Sequence, residues 1–423
     1  MLVSVRRAAV CLVALLFVIS FLGGALSAPS RETRKEKPSP DGLPQITPTA
    51  GGLVVWSYRW PKSAAGMNAT VERAIAGFRL AHPDTKVQVT FMGATALQRS
   101  LEDAFARHEQ PDVVVHAPGY TARYKSAPQV DFRTLLRKAD LQAYHTAAIG
   151  GCSDGEGLWA LPWWVEGRAW LANQPLIERS GYNLGATSGG WVWKDFEAVC
   201  RKLKSDGRLP VSSLPSAELL LDLGGPIGGD VTSLERSAPV ELLRSLAGTG
   251  LARVQRDPAS AIALFSEKNT GFIVGLSPLL GSDFLRLTRE DPLRNPGAFD
   301  PHLVPIPSTG IRGTPLVRVG GIMVFRRPWD LTGSRVALAS DLARRISTET
   351  WEKPYPALLM PAFLPNVGRW LEERRWDGVV VMRSIQTGQP LGLVDAAALQ
   401  ERLRWWQKAR ESLVPGSFFP KRP

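Results

Sequence analysis

Between Leu53 and His116 the sequence repeatedly switches its hydrophobic period, and this alternation constrains the fold more than any other feature. Leu53-Val-Val-Trp-Ser57 is a short apolar run that reads as a strand, broken by Arg59, Trp60 and Pro61. From Asn68 to Leu80, apolar residues recur at Val71, Ile75 and Phe78, the spacing of one helical face. Asn68 or Thr70 can cap this helix. His82-Pro83 ends it, because proline disfavours helical geometry in the residue before it. Lys86-Val-Gln-Val-Thr-Phe91 alternates as a half-buried strand does, and Leu97, Leu101, Ala104 and Phe105 mark a second helix that stops near Pro111. Asp112-Val-Val-Val-His116 is apolar at its centre, as a central strand is. Strand, helix, strand, helix, strand with right-handed crossovers predicts an α/β chain with a doubly wound parallel sheet. Ligands of such sheets bind beyond the carboxyl ends of the strands. Those ends here carry Trp56-Ser-Tyr-Arg-Trp60, Phe91-Met-Gly-Ala-Thr95 and His116-Ala-Pro-Gly-Tyr120.

A chain of 423 residues, 44% of them hydrophobic, has enough apolar surface for two domains. Its net charge of +12 is scattered, apart from short clusters such as Arg31 to Lys37 and Arg402 to Arg410. Nucleic-acid binding calls for a basic stripe or a binding motif, and the sequence has neither. The diffuse positive field favours an anionic ligand slightly. Of three cysteines, Cys11 falls in an N-terminal leader. Cys152 and Cys200 are either a disulfide or two buried thiols.

Residues 1–27 have the form of a secretory signal peptide: Arg6 and Arg7, an apolar run from Ala8 to Leu22, and small residues before a cut after Ser27. The alternative is an uncleaved anchor, although the run is short for a spanning helix, which needs about twenty residues. Residues 28–51 carry Pro38, Pro40, Pro44 and Pro48 among polar residues and read as a flexible tether. The expected location is outside the cytoplasm, periplasmic or extracellular, with membrane tethering through the leader as the variant.

In Gly157-Leu-Trp-Ala-Leu-Pro-Trp-Trp-Val-Glu-Gly-Arg-Ala-Trp-Leu-Ala-Asn173, two apolar runs flank an aromatic and charged corner that turns at Pro162. Such a corner predicts a passage between two lobes with a polar ligand gripped at the crossing. This stretch closely resembles the hinge segment of extracellular solute-binding proteins of sugar-type ABC importers, the maltose-binding-protein-like family. The similarity extends through Ala74 to Val89, ending in His82-Pro-Asp-Thr-Lys-Val, and Gln110-Pro-Asp-Val-Val114. It continues through Trp191 to Lys204, Leu219 to Gly229, Phe272 to Gly275, Val304 to Pro307, Val319 to Phe325 and Glu349 to Phe363. Helices are further expected from Asp257-Pro258, as cap and first residue, and over Ala396 to Arg410 with Leu399, Leu403 and Trp406 inward.

The resemblance implies a periplasmic binding protein-like II fold, two doubly wound lobes joined by a multi-strand hinge. Lobe 1 is expected over residues 52–162 and 320–362, and lobe 2 over 163–319 and 363–423. It also implies a monomer that closes on a carbohydrate or related polar solute and passes it to the transmembrane subunits of an ABC permease. No cofactor and no metal are expected. Rival functions are a ligand sensor that signals to a membrane partner and an enzyme acting on polysaccharide.

Sugars present flat apolar faces for aromatic rings and hydroxyl edges for carboxylate, Arg and amide groups. The candidate ligand residues are Trp56, Tyr58, Arg59 and Trp60 after the first strand, with His116 and Tyr120 after the third. Trp56, Tyr58 and Trp60 alternate and so can face one way, while His116 is equally a satisfied structural histidine. Of Trp163 and Trp164, the resemblance makes one a stacking platform and the other core. Glu166 and Arg168 either orient ligand hydroxyls or pair across the hinge. Gly320 and Gly321 either let backbone amides approach a ligand or bend a strand. The sequence contains no Gly-x-Ser-x-Gly, His-Glu-x-x-His or phosphate loop, so no catalytic residue is expected.

Overall fold

The computed structural model describes residues 52–125, 127–183, 191–213, 218–223, 238–255, 257–266, 269–277, 279–281, 301–308 and 315–412. The leader, the tether, the loop Gly224 to Gly229 and the ring of Trp406 lie outside them. The strands in chain order are β1 (Leu53–Tyr58), β2 (Val87–Met92), β3 (Val113–Val115), β4 (Leu161–Glu166) and β5 (Trp170–Asn173). Next come β6 (Leu209–Ser213), β7 (Ala252–Val254), β8 (Thr270–Val274) and β9 (Pro301–Val304). The last four are β10 (Leu316–Val317), β11 (Val319–Val324), β12 (Leu359–Pro361) and β13 (Gln389–Pro390).

Two sheets organise these strands. The first has the order β12-β4-β11-β3-β1-β2, the second β7-β6-β8-β5-β9, and β10 pairs with β13 as a small ribbon. The expected periodicity builds the first sheet. Helix Ala65–Ala81 buries Val71, Ile75 and Phe78, and helix Ala94–Ala106 buries Leu97, Leu101 and Ala104. Strands β1, β2 and β3 are parallel, as the alternation requires. In the second sheet, helix Trp193–Ser205 buries Phe196, Val199 and Leu203. Asp257 caps helix Pro258–Ser266 by accepting from the Ser260 amide at 2.8 Å.

Neither sheet is wholly parallel, which corrects the expectation from alternation alone. Strand β11 is antiparallel to β3 and β4, and β5 is antiparallel to β8 and β9. The chain leaves the first sheet through β4 and returns through β11 from the opposite direction, so the returning strands run against the parallel set.

Pro162 also differs from the expectation. It lies inside β4 rather than at a turn. It pairs with Gly321, and the register shifts between Gly320 and Gly321, so that Trp163 is the extra residue of a bulge in β4 immediately after the proline. Trp163 to Glu166 therefore belong to the first sheet, and the passage to the second falls at Gly167 to Ala169, later than the boundary expected at residue 162. The run preceding Leu161 forms only an isolated bridge, Ser153 with Leu158.

One apolar core fills the first lobe and continues behind the passage into the inner face of the second sheet, through Leu171, Ile273 and Leu303. Helix Trp376–Thr387 joins the two with Val380, Val381 and Ile385. A second core on the outer face collects Trp170, Trp191, Phe196, Phe272 and Trp405. Cys152 lies in the first core and Cys200 in the second, both as buried free thiols, which removes the disulfide alternative. The final helix, Ala396–Ser412, buries Leu399 and Trp405. No helix among the described residues is long and apolar enough to cross a membrane.

Candidate functional site

The carboxyl ends of β1 and β3 form one wall. Trp56 is embedded in the core and Tyr58 is half-buried. Trp60 is buried, held by reciprocal hydrogen bonds between its backbone and the Asn68 side chain, each 3.0 Å. Tyr58 meets Trp60 edge-on at 5.0 Å, Trp60 meets Trp163 at 6.3 Å, and Trp163 meets Trp351 at 6.4 Å. This aromatic chain leads inward from the rim, so of Trp56, Tyr58 and Trp60 only Tyr58 reaches it. Arg59 is exposed and donates from Nη2 to the Phe91 carbonyl at 2.8 Å.

His116 is fully buried, with Nδ1 accepting from the Ala117 amide and Nε2 beside Gln98 Oε1 at 3.1 Å. Burial holds its imidazole down at about 3, so it is neutral at physiological pH. Tyr120 lies parallel to its ring, 5.2 Å away with an interplanar angle of 6°. Burial raises the phenols of Tyr58 and Tyr120, and Tyr120 raises Tyr58 further, so both keep their protons. Neither hydroxyl has a hydrogen-bond partner among the described residues.

The passage between the sheets is the second part of the site. Successive side chains of a regular strand alternate faces, so Trp164 and Glu166, beyond the bulge, share one face of β4 with Val165 on the other. Trp163 and Trp164 are 1% and 0% exposed, and neither presents an open face in this arrangement. Trp164 lies so close over Gly320 that a Cβ there would sit 2.0 Å from the indole. A Cβ at Gly321 would meet Ala160 at 2.7 Å and Cys152 Sγ at 2.9 Å, and its amide donates to Thr121 Oγ1 at 3.2 Å. Both glycines thus make room for packing at the bulge, the strand-bend alternative.

Glu166 and Arg168 belong to a buried cluster completed by Arg318, Glu218 and Asp222. Arg168 donates from Nε to Asp222 at 2.7 Å and from Nη1 to Glu166 and to Glu218, the latter at 2.8 Å. Its Nη2 donates to the Glu218 and Leu276 carbonyls. Every N–H of this guanidinium is thereby taken by protein, as in the hinge-pairing alternative. Burial opposes the Arg168 charge, but Asp222, Glu218 and Glu166 outweigh it and raise its pKa. Asp222 also accepts from Trp170 Nε1 at 3.0 Å and from the Gly275 amide at 3.3 Å. Burial dominates at Asp222 and lifts its carboxyl to about 6. At Glu218 burial pushes upward, yet Arg318 and Arg168 leave the carboxyl below its usual range.

Arg318 grips Glu166 through Nε and Nη2 and reaches Glu218 at 3.1 Å, while its Nη1 has no acceptor among the described residues. It sits between β10 and β11, so its pair with Glu218, on helix Glu218–Asp222, spans the two halves of the chain. Arg318, Glu218 and Asp222 were absent from the expected set. The available signal was an isolated charge within an apolar run, as in Leu316-Val-Arg-Val319 and Leu219-Leu-Leu-Asp-Leu223. Among the described residues no group of His, Cys, Asp and Glu is arranged to hold a metal ion.

Residues 62–251 match the sequence model of the family described as bacterial extracellular solute-binding protein. A solved structure of the cyclic α-maltosyl-1,6-maltose binding protein of Arthrobacter globiformis superposes with a TM-score of 0.64 at 12% identity, covering 86% of this chain and 94% of that one. The maltotriose binding protein of Thermus thermophilus gives 0.57 at 16% identity, covering 87% and 95%. A structure reported for the GacH receptor of Streptomyces glaucescens gives 0.57 at 13% identity, covering 87% and 94%. A comparison with curated proteins gives no match.

The chain has a solute-binding-protein fold.

In a fold of this kind the passage strands β4–β5 and β9–β10 mark where two lobes meet, and the cluster around Arg168 lies there. Tyr58, Tyr120 and Arg318 stand on the first-lobe side, and Glu218 and Asp222 come from the second. The arrangement offers a polar guest unpaired donors backed by aromatic packing. The matched family and the structural neighbours are binding proteins rather than enzymes.

Proposed function

We propose that this chain is the substrate-binding component of an ABC importer, exported to the periplasm or the extracellular surface. It captures a carbohydrate or related polar solute between its lobes and delivers it to a membrane permease. The observation that carries this reading is the set of unpaired polar groups beside the passage: the hydroxyls of Tyr58 and Tyr120 and Nη1 of Arg318. Half-buried donors left open by the protein are suited to the hydroxyl edge of a sugar, because each regains in the complex the partner it lacks in the free protein. The ligands of the structural neighbours, maltotriose among them, make α-linked glucose oligomers the first probes.

A thermal-shift screen of the full chain against neutral and charged oligosaccharides, with amino acids and polyamines as controls, tests the proposal. A true ligand binds only the folded state and raises the melting temperature with concentration. For that ligand, Tyr58→Phe and Tyr120→Phe each weaken binding by about threefold to tenfold, the value of a hydrogen bond lost to an uncharged group. If amino acids or polyamines stabilise the protein and no saccharide does, the carbohydrate reading fails.

A further inference from the structure

We propose that Arg318 makes the cleft selective for uncharged, hydroxyl-bearing solutes and against carboxylated ones, an inference that rests on the solute-binding reading above. Two features of Arg318 define the geometry. Its Nε and Nη2 are spent on Glu166 and Glu218. Its Nη1 lies beside Gly119, where an added Cβ would sit 3.6 Å away, and has no acceptor among the described residues. Gly119 has a φ of +82°, so the chain turns here in a conformation that other residues rarely adopt, and no side chain of residue 119 occupies the space beside Nη1. The guanidinium is held rigidly from behind, with one edge left to donate.

Charge decides what that edge accepts. A carboxylate reaching Nη1 also comes within one guanidinium width of Glu166 and Glu218, which already flank the same group. The whole cluster sets two guanidinium groups, Arg168 and Arg318, against three carboxyl groups, Glu166, Glu218 and Asp222. Among the described residues of this cluster, an added anion therefore meets no surplus positive charge. The +12 of the chain does not alter this, because its charges are dispersed. Exposed charges are screened beyond about 8 to 10 Å at ordinary salt. Arg59, an exposed cation after β1, donates to the Phe91 carbonyl. Tyr58, Tyr120 and His116 line the same wall without charge. A sugar hydroxyl accepts from Nη1 and needs no net charge to do so, and its own proton can go to a phenol oxygen.

The test titrates the full chain with neutral glucose and galactose oligomers, maltotriose included, and with glucuronate and galacturonate oligomers of equal length. The wild type is expected to prefer the neutral member of each pair by about tenfold or more. Glu218→Gln, which removes one of the flanking negative charges, is expected to shift that ratio toward the uronate by about tenfold. Arg318→Lys keeps the charge but loses the fixed fork, and weakens neutral binding by about tenfold or more. A wild type that prefers uronates overturns the proposal, as does a ratio unmoved in folded Glu218→Gln. If Glu218→Gln does not fold, undiminished neutral binding in Arg318→Lys overturns it alone. A panel with no binder at all removes the carbohydrate reading itself, and the selectivity with it.

Discussion

Arg318 holds Glu166 by a fork of two hydrogen bonds, Nε to Oε2 at 2.7 Å and Nη2 to Oε1 at 2.9 Å. Glu166 is fully buried, so this pairing stabilises only while its geometry is kept. A lysine ammonium cannot form two parallel bonds. Arg318→Lys is expected to cost about 1 to 3 kcal/mol in urea unfolding, with the slope of the transition unchanged.

Arg168 lies at the centre of the same cluster and is completely buried. Arg168→Met removes the cation that Asp222 and Glu218 share, leaving carboxylates uncompensated in the interior. A loss of about 3 to 5 kcal/mol is expected by chemical denaturation. The loss should shrink in Arg168→Met/Asp222→Leu, since one of the stranded charges is then gone.

The pH dependence of stability should carry the mark of Asp222. Burial lifts its folded carboxyl to about 6 from an ordinary value of 3.8, so folding takes up a proton between those limits. Stability from this group is therefore present at low pH and falls as pH rises from about 4 to about 6. Melting curves of wild type and Asp222→Asn across that window should differ in slope, the variant lacking this fall of about 1 to 3 kcal/mol. Glu218, held below its usual range, acts in the opposite sense, and its contribution is lost on acidification.

Gly320→Ala should destabilise because its new methyl meets the Trp164 indole. Overpacking of this kind costs about 1 to 3 kcal/mol. The same substitution made beside Trp164→Ala should cost less, which a double-mutant cycle of melting temperatures would measure.

The parts of this fold legible in the sequence were those set by local period. Val71, Ile75 and Phe78, or Phe196, Val199 and Leu203, declare their helical faces because the spacing and the buried face are both properties of one segment. Pro162 was misread because its pairing with Gly321, and the bulge at Trp163 that follows, depend on a strand distant in sequence. The charged cluster was half visible for the same reason. Glu166 and Arg168 stand together in the sequence, but their partners Glu218, Asp222 and Arg318 are assembled only by the fold. The tryptophans could be read either way from the sequence, as ligand platform or as core, and in this structure Trp56, Trp60, Trp163 and Trp164 are buried.

Helix Trp376–Thr387 lies against the passage as well as against the second sheet. Ser384 Oγ accepts from the Arg168 amide at 2.7 Å, and Asp377 Oδ1 accepts from the Leu303 amide at 3.0 Å. A Cβ at Gly167 would press to within 2.7 Å of the Val381 carbonyl. The joint between the halves is therefore backed rather than bare, and any rotation of one half must slide along this helix as well as bend the connecting strands. If the halves close on a guest as proposed, side-chain bulk at Val380 and Val381 is expected to set how readily they move apart.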